Sequence, residues 1–303
     1  CRILILKCYQ PLDAIGSPAE FHQVFVQVFR AHHWAYETSR VLHCDISLNN
    51  IMWFMRGEEI IGVLCGWDLA EDQENSEWRA VNIGQVDAAA PPGEEKVQSV
   101  SLRQSQHLPS RPSIQQNAEQ PAATPETKVD ARCRTGTGPF MAVELLLSNP
   151  PPAHKYRYDV ESFFYVYVCG AATYRADGDQ KISVIKDWDH QSLRRIDDKK
   201  TLFLRSKTRY ARAFEGAHAD FKPAIGGFLF DMWLVFRGVC LLTEEIEMIE
   251  IPASTGRRYL TPEDEKMVAD MRQAQDDKVT YQAFMTILGE PELLAEASEL
   301  PSA

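Results

Sequence analysis

The sequence predicts an α+β fold that is mainly α-helical with a short β-hairpin. Three features predict it: a capped amphipathic helix beginning at Ser17, two apolar runs either side of "RGEE", and a run from Phe163 to Ala172 that is apolar all round. The first reads as follows. Ser17-Pro18-Ala19-Glu20 has the form of a capping box with Pro at the first helical position. Behind it Phe21, Val24, Phe25, Val28, His32, Ala35 and Tyr36 fall at three- and four-residue steps. They make one apolar stripe on a helix of about 20 residues.

That helix leads into the polar stretch "HCDISLNNIM" at residues 43–52. "IMWFM" and "IIGVLC" then flank "RGEE", the pattern of a hairpin, and the second strand empties into "GWDLA". From about residue 71 the character changes. No aromatic residue lies between Trp78 and Phe140, while Pro, Gln, Ser and Glu accumulate. A segment so poor in apolar surface cannot offset its ordering entropy, so 71–134 is expected to be a disordered insertion. Order is expected again from "RTGTGPFMAVELLLSNPPPAHKYRYDVESFFYVYVCGAATY" onward. The Phe163–Ala172 run is there the mark of a helix buried on all sides. Helical stretches are expected at about 190–214 and 221–242, and "TPEDEKMVADMRQAQ" opens on another Thr cap with Pro at the first helical position.

Composition narrows the function classes. The chain has 303 residues, 45% hydrophobic and 25% charged, with a formal charge of −11. That balance argues against a surface built to grip nucleic acid or anionic lipid, which select clustered Lys and Arg. Seven scattered cysteines without a CxxC pair suggest neither a zinc site nor a disulfide framework. Reduced thiols in a cytoplasmic or nuclear protein are the expectation. No segment reaches the ~18 consecutive apolar residues of a membrane span. The start, "CRILILKCYQ", has no signal-peptide layout and no initiating Met, and reads as part of something longer.

Taken alone, His43, Asp45 and Asn50 leave two readings open: a catalytic loop, or a polar turn whose Asp and Asn cap the step into the hairpin. The order of the flanks adds a resemblance. Helix, His-x-Asp-x-x-x-x-Asn loop, hairpin, acidic turn, variable segment, "GTGPFMAVE" and an Asp leading a buried helix resembles the C-terminal lobe of protein kinases. "HCDIS", "TGTGPFMAVE" and "ESFFYV" are closer still to the fungal-type protein kinases. The resemblance covers roughly residues 1 to 245.

The resemblance implies a division into four parts. Residues 1–70 would hold hinge, helix, catalytic loop and hairpin; 71–134 an insertion in the activation segment; 135–250 the helical remainder of the lobe; and 251–303 a C-terminal helical extension. It implies Asp45 as catalytic base, Asn50 as ligand of Mg²⁺ against the nucleotide phosphates, and His43 as the brace of the loop. Thr135 and Thr137 would contact the substrate hydroxyl or the catalytic Asp. Glu144 would anchor the segment through a later Arg, and Asp159 would fix the backbone of the catalytic loop, a role compatible with a helix N-cap. ATP and Mg²⁺ are the implied cofactors, and a protein the implied substrate or partner.

Departures from the pattern bear on activity. Cys44 replaces an Arg that in many kinases pairs with a phosphorylated activation segment, and Val143 replaces a Pro. Ser47 stands where most kinases carry a phosphate-binding Lys, in keeping with the fungal-type pattern. Gly66 falls where the metal-binding Asp of Asp-Phe-Gly belongs, and glycine offers Mg²⁺ no side-chain oxygen. Asp68, two residues on, is a substitute ligand only if the turn shifts register, and otherwise caps the following loop. No Gly-rich phosphate loop and no Lys–Glu pair occurs before residue 43, so the N-terminal lobe is expected to be largely missing. Two functions remain in play: a Ser/Thr-type protein kinase lobe inactive as this fragment, and a pseudokinase-like protein interaction module. Small-molecule phosphotransferases share the Asp-x-x-x-x-Asn loop, but have no segment like "GTGPFMAVE". Oligomeric state stays open.

Overall fold

The first helix, α1, runs from Pro18 to Ser39. Its start follows from the sequence: the Ser17 hydroxyl accepts the Glu20 N–H at 3.2 Å and donates back to the Glu20 carboxylate at 3.1 Å. The second half of the expected capping box differs, because Glu20 takes the Ser17 side chain and not its backbone N–H. The helix ends where Arg40 adopts a left-handed conformation, φ 49°, and donates its N–H to the Tyr36 carbonyl. The computed structural model describes residues 8–74, 136–147, 151–174, 187–256 and 259–291. All of these lie in one compact unit.

Strands surround the loop that follows α1. β1 (Gln10–Pro11), β3 (Ile51–Arg56) and β4 (Glu59–Leu64) form an antiparallel sheet in the order β1-β3-β4. The β3–β4 hairpin is the expected one. Its two-residue loop places Gly57 at φ 65°, the positive value that such a loop favours at its first position. The sequence did not disclose a second sheet, in which β2 (Val41–Leu42) pairs antiparallel with β5 (Glu71–Asp72). It corrects one boundary: the segment set to begin at 71 starts inside a strand. The remainder of the expected insertion from residue 75, with Thr135, lies outside the described residues.

The helical part comprises α2 (Val143–Leu147), α3 (Tyr156–Thr173), α4 (Leu193–Arg205), α5 (Lys207–Ala213), α6 (Lys222–Gly226), α7 (Phe228–Ser254), α8 (Pro262–Lys278) and α9 (Tyr281–Leu288). α3 is buried on every side, as its composition predicts; every residue from Arg157 to Ala172 is buried. The stripe of α1 packs on it through aromatic edges, Phe25 on Tyr167 at 4.9 Å and Phe29 on Phe163 at 5.2 Å between ring centres. The division at 250/251 is a second correction. It falls inside α7, and α9 belongs to the core: Phe284 lies 5.5 Å from Phe236, and Tyr281 stacks on His33 at 3.7 Å.

The fold is thus mostly helical with small antiparallel sheets. Among the described residues no single helix is long and apolar enough to cross a membrane, although the bent pair 219–226 and 228–254 passes on combined length and composition. Cys8, Cys65, Cys169 and Cys240 are thiols.

Gly62 sets how closely the hairpin approaches α1. A Cβ there would sit 2.8 Å from the Val24 carbonyl oxygen and 3.2 Å from the Cγ1 atoms of Val24 and Val28. Backbone cannot yield as a side chain can. Gly62→Ala is therefore expected to cost about 1–3 kcal/mol, read as a lower midpoint in urea unfolding. An unchanged midpoint would show that helix and hairpin can separate at no cost.

Candidate functional site

The loop between β2 and β3 is built around one buried carboxylate. Asp159, in the first turn of α3, is wholly buried and accepts the N–H of His43 at 2.8 Å and that of Cys44 at 3.1 Å. Two imidazoles donate to it as well, His32 Nε2 to Oδ2 and His154 Nε2 to Oδ1, each at 2.8 Å. The His154 and His32 contacts outweigh the desolvation that would raise the Asp159 carboxyl, and hold it well below the ordinary carboxylate range. These bonds stabilise a strained backbone. Cys44 has φ 64°, a conformation that costs a non-glycine residue of order 1–3 kcal/mol. The consequence is a fixed direction for the next residue, Asp45.

Three groups hold Asp45. Thr137 Oγ1 donates to its Oδ1 at 2.8 Å. Asn50 Nδ2 donates to its Oδ2 at 2.9 Å and to its backbone carbonyl at 2.7 Å. From the other side, the His43 ring braces the backbone. Its Nδ1 accepts the Asp45 N–H at 3.3 Å and its Nε2–H donates to the Cys65 carbonyl at 2.7 Å. Burial lowers the His43 pKa, with the Cys65 carbonyl only partly opposing, so this imidazole is a neutral strut. The Trp67 ring packs on it at 4.7 Å. Gly136, at φ 119°, lets the segment before Thr137 pass close to the loop: a Cβ would lie 3.1 Å from the Cys44 carbonyl.

The segment following Thr137 is anchored below. Glu144 and Arg157 form an ion pair, and the same guanidinium bonds Asp276 of α8 at 2.7 Å. The later Arg expected from the sequence is therefore Arg157, two residues before Asp159. Glu161 accepts the Val143 N–H at 3.0 Å and the Tyr165 hydroxyl at 2.9 Å. Fully buried Lys200 donates to the Met141 carbonyl with its Nζ 3.7 Å from the Tyr165 ring centre.

The structure brings together His43, Asp45, Asn50, Thr137 and Asp159, and sets Glu144 on the same segment as Thr137. Ser47 is buried beside them, its hydroxyl without a protein partner. Asp68 stands apart, exposed in a 3-10 turn and in none of these hydrogen bonds. Gly66, at φ 77°, borders Asn50 so closely that a Cβ would lie 2.5 Å from Asn50 Oδ1. Mg²⁺ takes oxygen ligands, chiefly carboxylates and phosphates, in octahedral array. Here the place of a carboxylate is closed by the Asn50 amide, and among the described residues no three His, Cys, Asp or Glu side chains are arranged for a metal ion. The protein alone therefore offers Mg²⁺ few oxygen ligands here, and phosphate oxygens would have to supply the rest.

Sequence reasoning missed His32, His154, Glu161 and Lys200. His32 occupies a position of the apolar stripe on α1. Lys200, in "DDKK", has the pattern of a solvated face. His154 follows "NPPPA" and carries no periodic signal.

No curated protein and no solved structure matches this chain. A family model does, over a short stretch that takes in Thr137, Glu144, His154, Arg157, Asp159 and Glu161. Residues 113–169 carry a match to the fungal protein kinase family.

Proposed function

We propose that this chain forms the catalytic-loop side of a protein kinase-like domain, and that the polypeptide by itself does not transfer phosphate. The observation that carries the first half is the Asp45 carboxylate, held between Asn50 and Thr137 in a loop whose backbone is tied to Asp159. A carboxylate so oriented is placed to accept the proton of a Ser or Thr hydroxyl. The family match suggests kinase-like function, with ATP and Mg²⁺ as the general cofactors of such enzymes and a protein as substrate. Thr137 is positioned beside the base, where a substrate chain would pass.

Gly66 supports the second half and favours a second reading, a pseudokinase-like lobe that binds proteins. Phosphoryl transfer rests on positioning and on neutralising phosphate charge. Losing one preorganised charge contact costs ~3 kcal/mol, roughly a hundredfold in rate, and Gly66 offers the phosphates' metal no such contact.

Radiolabelled ATP with a Ser/Thr peptide pool tests this on the purified chain and on Asp45→Asn. Equal labelling by the two is expected. Gly66→Asp alone should add nothing, since its side chain would meet Asn50 at once. Labelling that depends on Asp45 would overturn the reading of inactivity.

A further inference from the structure

A second feature lies on the other side of α4. Asp187, Trp188, Lys199, Phe203, Arg209, Arg212 and Glu215 line an open cavity of about 400 Å³. Its floor is aromatic: Trp188 and Phe203 are almost completely buried and pack edge to face at 5.3 Å. Its walls are charged. Lys199 is paired with Asp187 at 3.3 Å. Arg209 and Arg212, both exposed and three residues apart on α5, form no ion pair among the described residues. Of the neighbouring cations, Arg205 is paired with Glu244 at 3.4 Å and Lys200 is buried on Met141.

The surrounding charge is unlike that of the rest of the chain. Residues 193–213 contain eight basic and two acidic side chains, in a protein with a formal charge of −11. The lining itself sets Lys199, Arg209 and Arg212 against Asp187 and Glu215, a local excess of positive charge that attracts anions here while the acidic molecule as a whole repels them. Two guanidiniums at helical i, i+3 spacing present forked donors along one face, suited to carboxylates spaced along an extended chain. Glu215 on the rim disfavours a compact dianion more than single carboxylates, which can settle against the arginines at a distance from it.

We propose that this cavity is a docking site for an acidic peptide segment, whose Asp or Glu carboxylates pair with Arg209 and Arg212. The site is separate from the Asp45 loop and holds whether or not that loop is catalytic.

Fluorescence anisotropy tests it, using the whole chain and a short fluorescein-labelled peptide of alternating Glu and Ser. Saturable binding is expected, lost when Gln replaces Glu in the peptide and weakened by added salt. Arg209→Glu with Arg212→Glu should weaken binding roughly tenfold or more, and the milder pair Arg209→Gln with Arg212→Gln by less. Lys278→Glu, an exposed charge reversal on α8, should leave affinity unchanged; thermal melts confirm that each variant is folded. Equal weakening by Lys278→Glu would reduce the effect to overall charge and overturn the site. So would affinity indifferent to both arginine pairs, or the absence of saturable binding. A phosphoserine peptide binding tenfold tighter than the glutamate one would overturn the choice of carboxylate.

Discussion

Asp159→Ala is expected to cost about 3–5 kcal/mol, a large share of the ~5–15 kcal/mol by which an ordinary domain is stable. The carboxylate accepts from two backbone N–H groups and faces His32 and His154, so its removal strands four buried donors at once. Asp159→Asn should be milder, since its amide oxygen still accepts from the backbone while its NH₂ opposes one imidazole. Urea unfolding followed by circular dichroism measures both. A loss below about 1 kcal/mol for the alanine variant would show that the loop is held by something else. The sign with pH follows from the depressed carboxyl. Its contribution is complete above the unfolded Asp pKa of ~4 and is lost as pH falls toward the lower folded value, so the wild type should lose stability in acid more steeply than Asp159→Asn.

Lys200→Met should also be severe, by about 3–5 kcal/mol, because it removes a buried donor to the Met141 carbonyl and a cation whose charge favours the ionised form of buried Glu161. Burial pushes the Glu161 carboxyl up and the Lys200 ammonium down, while each partner opposes the other's shift. Replacing both, Glu161→Gln with Lys200→Met, should recover more than half of the loss, since the double variant has no unpaired charge. If the two single losses simply added, the two side chains would be holding the Met141–Val143 segment independently, with no electrostatic coupling between them.

How much of this was legible before the structure depended on whether a residue's role was local. α1 and α8 were readable because caps are written in consecutive residues: Ser17 bonds Glu20, and Thr261 and Asp264 form the full reciprocal box. The hairpin was readable from alternation broken by "RGEE". Asp45, Asn50 and Thr137 were legible through their resemblance, and the structure places them within hydrogen bonds of one another. Long-range polar partners were not. His32 occupies a core-facing position at helical spacing, and only contact with a residue 127 positions away distinguishes it from an apolar neighbour. Lys200 reaches Met141 across 59 positions, and the β2–β5 pairing is two residues long, too short for any periodicity to show.

That small sheet uncouples the site from chain length. Val41–Leu42 pairs with Glu71–Asp72, and Gln73 donates its N–H to the Arg40 carbonyl at 3.0 Å, so the chain leaves the Asp45 loop clasped to the strand that entered it. It returns at Thr137, bonded to the same loop. Both anchor points of everything between therefore belong to one structure, and neither depends on the length of what joins them. The entropic cost of joining two fixed ends grows only with the logarithm of the intervening length, about 0.6 kcal/mol for each doubling. A change in the length of that stretch is therefore expected to leave Asp45, Asn50 and Thr137 in their places.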